Sequence, residues 1–133
     1  MHTLTVQTHR RNEWIDITPR VAEVVRRAGL KRGLCLVYCP HTTAAVTINE
    51  HADPDVAHDV LTCLARLVPH RHPDERHAEG NSDAHVKASL LGASVLVIVE
   101  GAELVLGQWQ GIFFCEFDGP RSRQVLVQTL ASA

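Results

Sequence analysis

Most of what this sequence lacks narrows its function. No apolar run approaches the roughly 18–20 residues that a membrane-spanning helix needs. The N-terminus, Met1-His2-Thr3-Leu4-Thr5-Val6, alternates and does not place an apolar block behind a basic start, which reads against a signal peptide. A cytoplasmic protein with no membrane partner is expected. Charge of either sign is not in excess: 13 Lys and Arg stand against 15 Asp and Glu, net −2, so bulk charge offers nothing to nucleic acid. There is no Walker loop, no dinucleotide fingerprint and no internal repeat. The four cysteines, Cys35, Cys39, Cys63 and Cys115, form no CxxC pair and sit in apolar runs. They are expected to be small buried hydrophobes in a reducing compartment.

What is present fits one domain. The 133 residues are 45% hydrophobic and 21% charged, enough to bury a core. Residues 2–9 alternate, Trp14-Ile15-Asp16-Ile17 reads as a second strand, and the two suggest a hairpin. Thr18-Pro19 opens a helix with Val21, Val24, Val25 and Ala28 as its apolar stripe, stopped by Gly29. Gly33–Cys39 is apolar enough for a central strand. Asp53-Pro54 starts the longest helix, striped by Val56, Val60, Leu61, Leu64 and Leu67. The C-terminal third is strand: a hairpin about Glu100-Gly101-Ala102, a break at Gly107–Gly111, then Ile112–Phe117 and Gln124–Leu130. The expected fold class is α+β, a single domain over residues 1–133. Its core should be a β-sandwich-like antiparallel or mixed sheet, with two longer helices and one short helix.

The nine histidines are the chemical excess. Two of them bracket His77-Ala78-Glu79-Gly80-Asn81-Ser82-Asp83-Ala84-His85, which runs into a short helix closed by Gly92. Ser82 or Asp83 can cap that helix. His85 then lies in its first turn, where the positive dipole end suits an imidazole acting as acceptor or ligand. The same helix start, with Asn81, Ser82 and Lys87 nearby, can hold a phosphate. Alone, the pair also fits a loop histidine and a capping histidine. A third candidate is His41. If residues 41–50 are extended, His41, Thr43, Ala45, Thr47 and Asn49 share a short polar face, while Ala44, Val46 and Ile48 face the core. Such a face suits either a groove for a small ligand or plain solvent. Glu116 is the anomaly, a carboxylate at the end of an apolar strand. It must be paired, a metal ligand, or poised for acid–base work. Arg121 and Arg123 can pair with Glu116 and Asp118, and both a structural ion-pair network and a substrate-binding one fit. Trp109 between glycines fits core packing or a bend against a ligand.

Three blocks, HTTAAVTINEHADPDV, HAEGNSDAHVKASLLG and LVLGQWQGIFFCEFDGPRSRQVLV, together resemble a small bacterial and archaeal family called "secondary thiamine-phosphate synthase enzyme". The resemblance covers nearly the whole chain. It departs where the family has a Gly-Thr-Trp-Gln run and this chain has Gly107-Gln108-Trp109-Gln110. It implies a compact homotrimer with a pocket near His41, His77 and His85. These three are then the metal ligands, and three imidazoles favour zinc over magnesium. The implied function is a metal-dependent enzyme, a thiamine-phosphate synthase-like transferase, acting on a phosphorylated small molecule or anion. His41, His85 and Glu116 are its catalytic candidates. Thr42, Thr43, Asn49, Asn81, Ser82, Lys87, Trp109, Asp118, Arg121 and Arg123 are its substrate contacts. A metal-dependent hydrolase and a non-catalytic trimeric binding protein are the alternatives.

Overall fold

The computed structural model describes residues 1–133. Eight strands and three helices follow one another as β1 (His2–Gln7), β2 (Glu13–Asp16), α1 (Thr18–Arg27), β3 (Arg32–Tyr38), β4 (Ala44–Glu50), α2 (Pro54–Leu67), α3 (Ser82–Leu91), β5 (Ser94–Glu100), β6 (Glu103–Leu104), β7 (Gln110–Glu116) and β8 (Ser122–Ala131). Two antiparallel sheets result, one ordered β1-β8-β3-β5-β6 and the other β2-β7-β4. The α+β expectation holds, and every strand pairing is antiparallel. The helices divide differently, with 14 residues in α2 and 10 each in α1 and α3.

The expected hairpin of β1 and β2 does not form. β1 pairs with β8 and β2 with β7, so the polar segment after Gln7 crosses from one sheet to the other. That crossing carries Thr8 and Arg11 to the site. The β5–β6 hairpin forms as expected. Helix α1 buries Val21, Val24 and Val25, as the stripe requires, with Pro19 in its first turn. Thr18 is not the cap: its hydroxyl donates to Asp16 and accepts from the Ile112 N–H at 2.8 Å, tying α1 to β7. Asp53 does cap α2, accepting from the Asp55 N–H at 2.9 Å.

The main core lies between the sheets and α1, and includes Val6, Ile17, Val37, Val46, Val99, Phe114 and Val125. A second cluster, with Ala45, Ala84, Ala88, Phe113, Cys115 and Phe117, lies between the smaller sheet and α3. That sheet is therefore covered on both faces. Ala44, Ala45 and Val46 are all buried, and the alternation expected of β4 is lost. Cys35, Cys39 and Cys115 are buried as expected, whereas Cys63 on α2 is exposed. No helix is long and apolar enough to cross a membrane.

Candidate functional site

The site is built where three chain segments meet: the loop joining β3 to β4, the start of α3, and the turn from β7 to β8. The first is pinned at both ends. The Cys39 N–H donates to Ala93 O at 2.7 Å, and the Phe117 N–H donates to Thr43 O at 3.2 Å. His41 lies in this loop and not on the β4 strand. The turn is held against the crossing segment at Gly119, whose N–H donates to Arg11 O at 3.1 Å. A Cβ at Gly119 would stand 2.3 Å from Arg10 O, so no other residue permits this approach.

Glu116 is fully buried, and its two oxygens are filled. Arg123 donates from Nε to Oε1 at 2.8 Å and from Nη2 to Oε2 at 2.5 Å. Thr8 Oγ1 donates to Oε1 at 2.8 Å, and the Phe117 and Asp118 N–H groups donate to Oε2 at 3.1 Å each. Five donors leave no lone pair aimed at a substrate. The catalytic role expected of Glu116 gives way to a positioning one, a bidentate clamp that fixes the Arg123 guanidinium. The same guanidinium donates to Thr43 Oγ1 at 2.8 Å, joining β8 to the His41 loop. Arg121, half exposed, donates to the Asp118 carboxylate at 2.9 Å and to its backbone oxygen at 2.8 Å.

Asp83, expected as a cap, is a buried anchor. Arg11 grips it with two bonds of 2.9 and 3.0 Å, and Lys87 Nζ lies 3.2 Å away. Burial pushes the Asp83 carboxyl upward, but the hydrogen bonds and charges of Arg11 and Lys87 outweigh it and hold the group below its ordinary value. Asn81 precedes α3, and its side chain does not cap the helix. It donates instead to Asp118 Oδ2 at 2.8 Å and to Glu79 Oε2 at 3.3 Å. The first-turn N–H groups of α3 are thus left without a side-chain acceptor.

Around these anchors lies a polar cavity of about 370 Å³, bordered by His41, Thr42, Thr43, His77, Asn81, His85, Asp118, Arg121 and Arg123, with Pro40 and Glu79. Nine of the expected site residues therefore meet. Larger depressions of about 530 and 440 Å³ exist elsewhere, but none of the expected site residues borders them. Four residues do not join the site. Lys87 is buried and committed to Asp83 and Asn12, so it offers no phosphate contact. Ser82 begins α3 but does not border the cavity. Asn49 lies at the far end of β4 opposite Gly111, its side chain accepting from the Glu50 N–H at 2.7 Å. Trp109 is exposed beyond that end, and Gly111 admits the close approach of His51, not of a ligand: a Cβ there would stand 2.4 Å from the His51 ring.

The three histidines do not form the expected metal centre. No group of three or more histidine, cysteine, aspartate or glutamate side chains is arranged to hold an ion. His41 shows why. The Gln124 N–H donates to its Nε2 at 2.9 Å, so the neutral ring carries its proton on Nδ1 and has no lone pair free for a metal. Burial, and then the Arg123 charge, lower the His41 pKa and keep that ring neutral. The rings of His77 and His85 stand edge to face, centroids 5.5 Å apart, and His77 Nε2 lies 3.8 Å from Glu79. The residues present do not fit zinc, and the metal-binding expectation is corrected.

Sequence reasoning missed Thr8, Arg11 and Glu79. Glu79 stood in plain view between two histidines. Thr8 and Arg11 are more than 70 residues from their partners, and nothing local marks them.

Two antiparallel sheets with a polar, histidine- and arginine-bordered cavity at the start of a helix define a small α+β protein. The chain belongs to the family described as "UPF0047 protein YjbQ-like", whose model matches residues 2–132. It is 50% identical to UPF0047 protein YugU of Bacillus subtilis over 98% of each chain. Identity to UPF0047 protein MJ1081 of Methanocaldococcus jannaschii is 46%, covering 94% of this chain and 90% of that one. A crystal structure of an uncharacterized YjbQ/UPF0047 protein from Clostridium acetobutylicum superposes with a TM-score of 0.96 at 48% identity, covering 98% of this chain and all of that one. A YbjQ-like protein of unknown function from Sulfolobus solfataricus gives 0.94 at 36% identity, covering 98% of this chain and 96% of that one. None of these descriptions mentions thiamine-phosphate synthase or a transferase, so the family resemblance drawn from the sequence is corrected to UPF0047/YjbQ.

Proposed function

We propose that the cavity binds a small phosphorylated molecule and that the protein acts on it as an enzyme. The observation that carries this is the meeting of His41, His77, His85, Arg121 and Arg123, from three distant segments, in one polar cavity. Each group suits a phosphate in its own way. Arg123, its charge balanced by Glu116, is a guanidinium held in one orientation at the cavity wall. Arg121 is half exposed and free to turn from Asp118 to an anion. His41, fixed as the Nδ1–H tautomer, supplies a hydrogen-bond donor without a charge. His85 makes no side-chain hydrogen bond within the protein, which leaves its ring to accept or release a proton.

A binding protein without turnover is the second reading, supported by the existing partners of both arginines. The deciding experiment measures binding and turnover of a panel of phosphate monoesters by the wild type and by His85→Ala. Turnover in the wild type, lost in His85→Ala with binding retained, supports the enzyme. Binding with no turnover across the panel favours the binding protein. Absence of any binding overturns both.

A further inference from the structure

The polar cavity does not end at His41 and His85. A second cavity of about 370 Å³ shares those two residues and Thr42 with it, then continues along Ala44, Ala88, Ser89, Gly92 and Ala93. Its chemistry is opposite. No charged side chain borders this second lobe, and beyond the shared residues only Ser89 carries a polar side chain. The Ser89 hydroxyl is already spent, donating to His85 O at 2.9 Å. The lobe is open because its residues are small. It is also firmly built: the Val46 N–H donates to Gly92 O at 3.2 Å and the Cys39 N–H to Ala93 O at 2.7 Å, locking the end of α3 to β4 and to the end of β3.

We propose that this lobe is a subsite for the uncharged body of a phosphate monoester whose phosphate occupies the polar cavity. The inference rests on the phosphate reading of that cavity and deepens it. The ester linkage then crosses the shared residues His41, Thr42 and His85, where one ring offers an Nδ1–H and the other is unengaged. A second charge on the body finds no partner among the alanines, and desolvating it there is unfavourable. The ligand class is therefore a monoester of a neutral, compact alcohol, not a diphosphate or a dicarboxylate.

The test compares inorganic phosphate with phenyl phosphate by calorimetric titration of the full chain. In the wild type, phenyl phosphate should bind about tenfold more tightly than inorganic phosphate, the margin that filling an apolar subsite gives. Ser89→Leu should remove that advantage and leave inorganic phosphate unchanged. The site is exposed and leucine is a good helix former, so the fold tolerates it. Ala93→Leu, on the other side of the lobe, should do the same. Equal affinities in the wild type, or an advantage surviving in both variants, overturn the subsite and leave the phosphate site standing. If neither compound binds the wild type, the phosphate reading itself falls, and the subsite with it.

Discussion

Glu116 shows how one residue sets the character of the site. A buried carboxylate is costly unless paired and hydrogen-bonded, and here five donors from Thr8, Arg123 and two backbone amides meet that demand. Glu116→Gln should destabilise the protein by about 3–5 kcal/mol, because it strands a buried guanidinium. Urea unfolding measures this, and a loss under about 1 kcal/mol would show that water already compensates Arg123. His41 makes a sharper residue-scale prediction. Burial and Arg123 set its folded pKa below the ordinary 6.5. As pH falls, the unfolded chain therefore takes up this proton first. His41 draws nothing from stability above about pH 6.5 and withdraws stability as the pH drops from there toward its folded value. NMR titration of the labelled ring, assigned with His41→Gln, should give a midpoint below 6.5, and a midpoint at or above it contradicts burial and the Arg123 charge as the controlling effects. The sequence marked Glu116 as an anomaly because composition alone shows a charge in an apolar strand. It left the role open because Thr8, one of the donors that settle it, is an ordinary threonine brought in by the fold.

At the scale of elements, α3 is placed by its first turn. Its sequence is weakly amphipathic, and its buried residues are Asp83, Ala84, Lys87 and Ala88. Two of those four are charged, so the helix is seated by the Arg11–Asp83–Lys87 cluster as much as by apolar contact. Asp83→Asn should cost about 3–4 kcal/mol at neutral pH, the lower part of the buried-pair range because Arg11 keeps part of its side chain in water. Asp83's folded pKa is depressed, so its contribution is present above its ordinary value of 3.8 and is lost as pH falls through the folded one. The gap between wild type and Asp83→Asn should accordingly close in acid. Denaturant curves at neutral and acid pH check this, and a gap constant with pH would assign the loss to packing. Elements with local signals were legible: the Asp53-Pro54 start of α2, the α1 stripe and the β5–β6 hairpin all follow from neighbours in sequence. The false β1–β2 hairpin and the false polar face of β4 share one cause. Which strand pairs with which, and whether a sheet is covered on one face or both, are long-range facts that a period of two cannot carry. The same limit separates the nine residues that reached the cavity from Asn49 and Trp109. Asn49 shares a strand with the His41 end of the sheet but lies at its other end.

At the scale of the whole molecule, the larger sheet has an outer face that one chain does not cover. Leu34 stands opposite Ile98 on β5 and Leu130 on β8, and Leu36 stands opposite Leu96. Leu96, Ile98 and Leu130 are 60, 58 and 66% exposed, and Tyr38 adds an aromatic ring at 42%. An antiparallel sheet with a free face normally carries polar residues there, and a contiguous aliphatic patch of this kind marks an interaction surface. Helix α2 tells the same story, since its apolar stripe is only half covered and none of its 14 residues is buried. We propose that copies of this chain cover the sheet face for one another, and that the assembly is a homotrimer, the state that the family resemblance implied. Light scattering behind size exclusion should then give three times 14.7 kDa, about 44 kDa. A single charge on the face, Ile98→Asp, costs an isolated chain little, since position 98 is mostly exposed there, but is strongly unfavourable in an apolar interface. The variant should run as a folded monomer with an unchanged far-ultraviolet spectrum. A wild type that runs at 14.7 kDa refutes self-association. A trimer that survives Ile98→Asp moves the interface away from this sheet and leaves the half-covered face of α2 as the surface to alter next.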